Sequence, residues 1–137
     1  MSVLEKEKKD ESFLVAVYGS LRRGLGNHGV LGTTSEFLGE IKTKAEFSLY
    51  DLGYYPGIKE KGQTSIVMEV YKVTPSILSS VNRLEGYVED REATFYDRIS
   101  IPTEFGDAFT YVFVPPVDNR DKVIMGDWKE YYESKFK

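Results

Sequence analysis

The chain of 137 residues has no cysteine and a single histidine, His28. Without thiols, disulfide frameworks, thiolate zinc sites and cysteine nucleophiles are excluded together, and one imidazole is too few for the usual transition-metal ligand sets. Long apolar runs are also missing. The longest, Phe13 to Val17, falls far short of the ~20 residues of a membrane-spanning helix. The first ten residues are mainly charged rather than signal-like, so a cytoplasmic location is expected and a membrane partner is not. Lysines and arginines are scattered in ones and twos through a chain of net charge −4. That leaves no basic stripe for a phosphate backbone and argues against nucleic acid.

What is present describes one folded domain. Charged residues at 29% and aromatics at 14%, ten of them tyrosines, fit a soluble protein able to bury a core without metal or disulfide support. Residues 1–12, with the run Glu5 to Glu11, read as a flexible charged leader, and 13–137 as a single domain. No repeat, linker or low-complexity segment interrupts it. β-Branched and aromatic clusters at 13–18, 36–41, 45–51, 65–73, 94–101 and 108–114 predict about six strands. Helical signal is confined to a turn at Asn27–Leu31, the segment Pro75–Leu84 and a piece from about Asp127. The middle one is the clearest: Thr74 suits an N-cap, Pro75 the first helical position, and Ile77, Leu78, Val81 and Leu84 recur at helical spacing before Gly86.

Two places carry chemistry. The apolar strand Val15-Ala16-Val17 runs into Tyr18-Gly19-Ser20-Leu21, where a glycine permits positive φ or close ligand approach and bare N–H groups can face an oxyanion or carboxylate. An ordinary strand-to-loop turn is the alternative for that stretch. Glu85 follows Leu78 by seven residues and Val81 by four, so it projects from the apolar face of its helix and is expected to point inward. Desolvation and the negative helix end both push such a carboxyl's pKa upward, which suits proton transfer near neutral pH. Pairing with Arg98 or Arg83, or fraying into solvent, remains open for Glu85 at this point.

Other patterns fail on context. Gly24-Leu25-Gly26-Asn27-His28-Gly29 matches Gly-x-Gly-x-x-Gly, but its first glycine lies six residues past the strand and strands follow where a crossover helix should be. Ser20 and His28 could serve as nucleophile and base of a hydrolase, yet the Gly-x-Ser-x-Gly elbow is absent. His28 is expected instead to hydrogen-bond the Gly-rich loop into shape. Glu89, Asp90 and Glu92 lack a Gly-bearing calcium loop and read as a solvated turn. In Gly126-Asp127-Trp128, Trp128 is expected to plug the core and Asp127 to cap a helix.

Taken together, Tyr18-Gly19-Ser20-Leu21, Asn27-His28, Gly53-x-Tyr55-Pro56-Gly57, Leu84-Glu85-Gly86, Tyr96-x-Arg98 and Gly126-Asp127-Trp128 resemble the γ-glutamylcyclotransferase-like (AIG2-like) family across about residues 13–132. The resemblance implies an α+β fold, a small mixed β-barrel-like sheet with flanking short helices. It implies an enzyme that cleaves a small γ-glutamyl amide by cyclisation to 5-oxoproline, using neither metal nor cofactor. In that reading the N–H groups of Gly19, Ser20 and Leu21 hold the γ-glutamyl end, Tyr18, Tyr55 and Tyr96 line the substrate site, and Glu85 is general base and then acid. A binding protein of the same fold and a Ser-dependent hydrolase are the alternatives.

Overall fold

The computed structural model describes residues 12–32, 34–53, 55–85, 96–117, 122–123 and 125–135. Most of the expected leader, Gly86, the acidic cluster Glu89, Asp90 and Glu92, and the first two residues of the strand expected at 94–101 lie outside the described residues.

Five strands form a mixed sheet in the order β2 (Glu36–Lys42), β5 (Val67–Val73), β1 (Phe13–Val17), β7 (Gly106–Phe113), β6 (Tyr96–Thr103). The sheet is mixed because β1 runs antiparallel to β5 and parallel to β7. Three more strands, β4 (Pro56–Thr64), β3 (Phe47–Asp51) and β8 (Lys122–Val123), make a second, antiparallel sheet. Among the described residues there are thus eight strands where six were expected. The two missed are β4, whose second half Lys59-Glu60-Lys61-Gly62 is a charged, mostly exposed edge, and β8, two residues long and too short to show a period.

The five-stranded sheet coils strongly. Phe105, on the turn between β6 and β7, lies so close to Gly39 of β2 that a Cβ there would sit 2.7 Å from the ring, although β2 and β6 are opposite edges. This near-closure gives the barrel-like character. β1 is the central strand, and its alternating side chains feed two cores. Val15 and Val17 face one core with Leu78, Val81, Tyr71 and Tyr111, while Ala16 faces the other with Met68, Leu49, Ile58 and Trp128.

Helix α1 (Pro75–Leu84) forms where its local signals place it: the Thr74 side chain accepts the Ile77 N–H at 3.2 Å and Pro75 occupies the first turn. Its stripe buries Leu78 and Val81 against the β1 face, worth about 1.5–3 kcal/mol for each fully buried side chain. Helix α2 (Trp128–Lys135) starts at Asp127, whose carboxylate accepts the Glu130 N–H at 3.0 Å. Trp128 is buried beneath it. Both roles expected for the Gly126-Asp127-Trp128 stretch hold. Gly126 is required because a Cβ would fall on the Ser65 carbonyl oxygen.

Candidate active site

At the C-terminal end of β1 the chain turns through Gly19-Ser20-Leu21, and a cleft of about 380 Å³, its open mouth included, lies between this turn, the β3–β4 turn and the end of α1. Tyr18, Gly19, Ser20, Leu21, Tyr55, Tyr96 and Glu85 all line it, joined by Pro56 and Tyr111. The structure therefore brings together every residue that the sequence nominated. Pro56 and Tyr111 were not among the expected site residues.

The turn has a polarity. The Gly19 carbonyl accepts the Arg22 N–H at 3.0 Å, the Ser20 carbonyl accepts the Asn27 N–H at 2.9 Å, and the Leu21 carbonyl accepts His28 Nδ1–H at 2.8 Å. Among the described residues the N–H groups of Gly19, Ser20 and Leu21 have no acceptor in the protein. Three consecutive carbonyls are thus occupied while their three donors stay available beside the cleft, the arrangement of an anion-binding nest. His28 shapes the loop as expected; its carbonyl contact fixes the Nδ1–H form, and its ring leans on Tyr71.

Of the two grounds expected for Gly19, positive φ is not met. Positive φ occurs at Gly24 and at other glycines but not at Gly19. The restriction is steric, since a Cβ at Gly19 would lie 2.7 Å from Cγ of Pro56. Pro56 is itself held by Tyr96, whose hydroxyl donates to the Pro56 carbonyl at 2.7 Å. The wall opposite the turn and the turn itself are therefore in contact.

Glu85 caps α1, its N–H donating to the Val81 carbonyl at 3.0 Å, and it continues the buried stripe into the cleft. Its carboxyl is withdrawn from bulk water, and among the described residues no cation or hydrogen-bond donor pairs with it. Arg98, one candidate partner, instead stacks its guanidinium 4.3 Å over Phe109. Burial alone raises the Glu85 pKa from 4.5 to about 7. The two nearest phenols do not relieve it: Tyr18 donates its proton to the Tyr111 carbonyl at 2.6 Å and Tyr96 donates to Pro56. With their hydrogens committed, these oxygens offer only acceptor capacity to a ligand. Burial, and after it the Glu85 charge, pushes both phenol pKa values up, so they stay neutral. Tyr55 stands half exposed at the mouth.

One buried cluster carried no sequence signal. Arg22, 3% exposed, donates to Glu69 of β5 at 3.1 Å, to Asp127 at 2.7 Å and to Glu40 of β2 at 3.4 Å. Glu69 also accepts the Arg23 N–H at 2.9 Å and the Tyr71 hydroxyl at 2.8 Å. Its partners lie 18, 47 and 105 residues from Arg22, beyond any local pattern.

Among the described residues no triad forms around Ser20. Its Oγ accepts from Asn27 Nδ2 at 2.8 Å, while the His28 nitrogen that is engaged faces a carbonyl rather than the serine. The Gly-rich stretch leads into a single 3₁₀ turn, His28–Leu31, and then β2, so no long helix receives a pyrophosphate there. Among the described residues no group of His, Asp and Glu side chains converges as a metal site, and no helix is long and apolar enough to cross a membrane.

Comparison with known proteins places the chain by sequence and fold. A Vibrio cholerae protein provisionally named a gamma-glutamylcyclotransferase is 40% identical over 84% of this chain and 94% of its own length. Among solved structures, protein PH0828 of Pyrococcus horikoshii superimposes with a TM-score of 0.72 at 29% identity, covering 90% of this chain and 95% of that one. YtfP of Escherichia coli gives 0.67 at 30% identity over 88% of this chain and 99% of that one. The family model described as "Gamma-glutamyl cyclotransferase, AIG2-like" matches residues 15–130, the span that holds the nest, the cleft and Glu85. By that match and these relatives, the chain belongs to the γ-glutamyl cyclotransferase, AIG2-like family.

Proposed function

We propose that the protein cleaves a γ-glutamyl amide by intramolecular cyclisation, releasing 5-oxoproline and a free amine. The observation that carries this reading is the juxtaposition, in one cleft, of a carboxyl with a pKa near 7 and three N–H donors, none of them paired among the described residues. Donors suit the negative charge on the γ-glutamyl end of the substrate. Acceptors, namely Glu85 and the two phenol oxygens, suit its α-amino group. The Glu85 carboxylate takes a proton from that amine, and the nitrogen lone pair attacks the γ-carbonyl carbon to form the ring C–N bond. The old amide C–N bond then breaks, and the protonated Glu85 returns its proton to the departing amine. The nucleophile belongs to the substrate, so no cysteine, metal or cofactor is required, and the attack gains the advantage of intramolecularity.

The product distinguishes this from the alternatives. Incubation with a panel of γ-glutamyl amino acids and amines is expected to yield 5-oxoproline. Free glutamate instead would indicate attack by water or Ser20, and binding without turnover of any substrate would indicate a binding protein of this fold.

A further inference from the structure

The turn that presents these donors opens on the cleft, and besides Asn27 and His28 a buried arginine side chain ties it to the rest of the fold. Arg22 closes the turn with its own N–H, which donates to the Gly19 carbonyl at 3.0 Å. Its guanidinium reaches the opposite way, into the interior, where Glu69 of β5, Asp127 at the start of α2 and Glu40 of β2 take up its donors. Glu69 holds the next peptide as well, through the Arg23 N–H at 2.9 Å, and Lys129 Nζ of α2 donates to the Arg23 carbonyl at 2.6 Å. Of the residues in these contacts only Gly19 lines the cleft; Arg22, Arg23, Glu40, Glu69, Asp127 and Lys129 do not.

We propose that Arg22 is a positioning residue for the reaction: it fixes the orientation of the Gly19, Ser20 and Leu21 N–H groups toward the substrate by tying the turn to β5, β2 and α2. The proposal rests on the cyclotransferase reading for its catalytic consequence, but the orientation of the turn can be tested without it. A planar guanidinium with fixed donor directions is suited to satisfying several carboxylates at once, whereas an ammonium on a flexible stem is a point charge. Charge alone is therefore insufficient, and lysine keeps the charge while losing the geometry. Misplacing oriented donors by about 1 Å is enough to lower a rate on the order of 100-fold.

The experiment compares wild type with Arg22→Lys and Glu69→Gln, at a temperature where circular dichroism shows each variant folded. Two readouts are taken: kcat and KM for 5-oxoproline release from a γ-glutamyl amine, and amide hydrogen exchange across residues 18–23. Both variants are expected to lose at least tenfold in kcat/KM, to keep the wild-type pH midpoint assigned to Glu85, and to speed exchange at 18–23 by a larger factor than at α1 and β5. A folded Arg22→Lys protein with wild-type kcat/KM and wild-type exchange at 18–23 would overturn the proposal. Exchange at 18–23 that speeds up no more than the rest of the fold would do the same, since it shows a merely structural role. If the wild type released no 5-oxoproline, the cyclotransferase reading would fail, and local exchange at 18–23 would still decide whether Arg22 positions the turn.

Discussion

Glu69 and Glu85 are two carboxyls withdrawn from water on either side of the same turn, and their pKa values move in opposite directions. Burial would push Glu69 up, but the Arg23 N–H, the Tyr71 hydroxyl and Arg22 together outweigh it and hold it below 4.5. Burial acts on Glu85 unopposed and takes it to about 7. What offsets burial at Glu69 is a supply of donors that Glu85 lacks among the described residues. A carboxylate given three hydrogen bonds and a counter-charge becomes a strut, whereas one beside phenols whose protons are committed elsewhere becomes a group that exchanges protons near neutral pH.

The sharpest way to break the comparison is to remove the titrating group. Glu85→Gln keeps the shape and abolishes both proton transfers, so kcat for 5-oxoproline release is expected to fall by about 10³-fold or more, with the circular dichroism spectrum unchanged. Near-normal turnover would remove Glu85 from the mechanism.

Removing the other carboxyl acts on folding. Glu69→Ala leaves Arg22 buried with two of its three partners and strands the Tyr71 hydroxyl and the Arg23 N–H. A loss of about 3–5 kcal/mol in denaturant unfolding is expected. A loss below 1 kcal/mol would mean that the network is not a strut.

The pH dependence of stability separates the two with opposite signs. The folded pKa of Glu85 lies above its unfolded value, so between 4.5 and about 7 the folded state binds more protons and stability falls as pH rises. Glu85→Gln is therefore expected to match wild type near pH 4 and to exceed it above pH 7, by on the order of 1–2 kcal/mol after allowing for the open mouth. Glu69 has a depressed folded pKa. Its contribution is present above the unfolded value and is lost as pH falls through the folded one, so Glu69→Gln should differ from wild type most at neutral pH and least in acid.

Smaller effects probe the turn between them. Gly19→Val drives a side chain into Pro56 and is expected to cost about 1–3 kcal/mol of stability and most of the activity. Ser20→Ala keeps every backbone donor and loses one hydrogen bond from Asn27, about 1 kcal/mol. Steady-state kinetics on both mutants checks the ranking: a dead Ser20→Ala with an active Gly19→Val would reverse it and favour a serine nucleophile.

How much of this was legible depended on sequence distance. Thr74, Pro75 and the stripe through Val81 lie within one short window, and α1 forms over the range they indicate. The inward aim of Glu85 is readable for the same reason, being four and seven residues from Val81 and Leu78. Strand β4 was hidden because half of it is a charged edge that buries little on either face. The Arg22 cluster was hidden because an arginine after a turn looks solvated until β5 and α2 arrive from 47 and 105 residues away. At Gly19 the expected positive φ is absent, and the steric neighbour Pro56 could not be read locally because it comes from the other sheet.

The proposed mechanism requires one side chain to change protonation near neutral pH, and that side chain can be titrated in the folded protein. Side-chain carboxyl ¹³C resonances of the glutamates, followed by NMR from pH 3 to pH 9 with Glu85→Gln to assign the signal, should show Glu85 titrating with a midpoint near 7. A midpoint near 4.5 would show the carboxyl to be solvated or paired, and would contradict its role as the acid and base of the site.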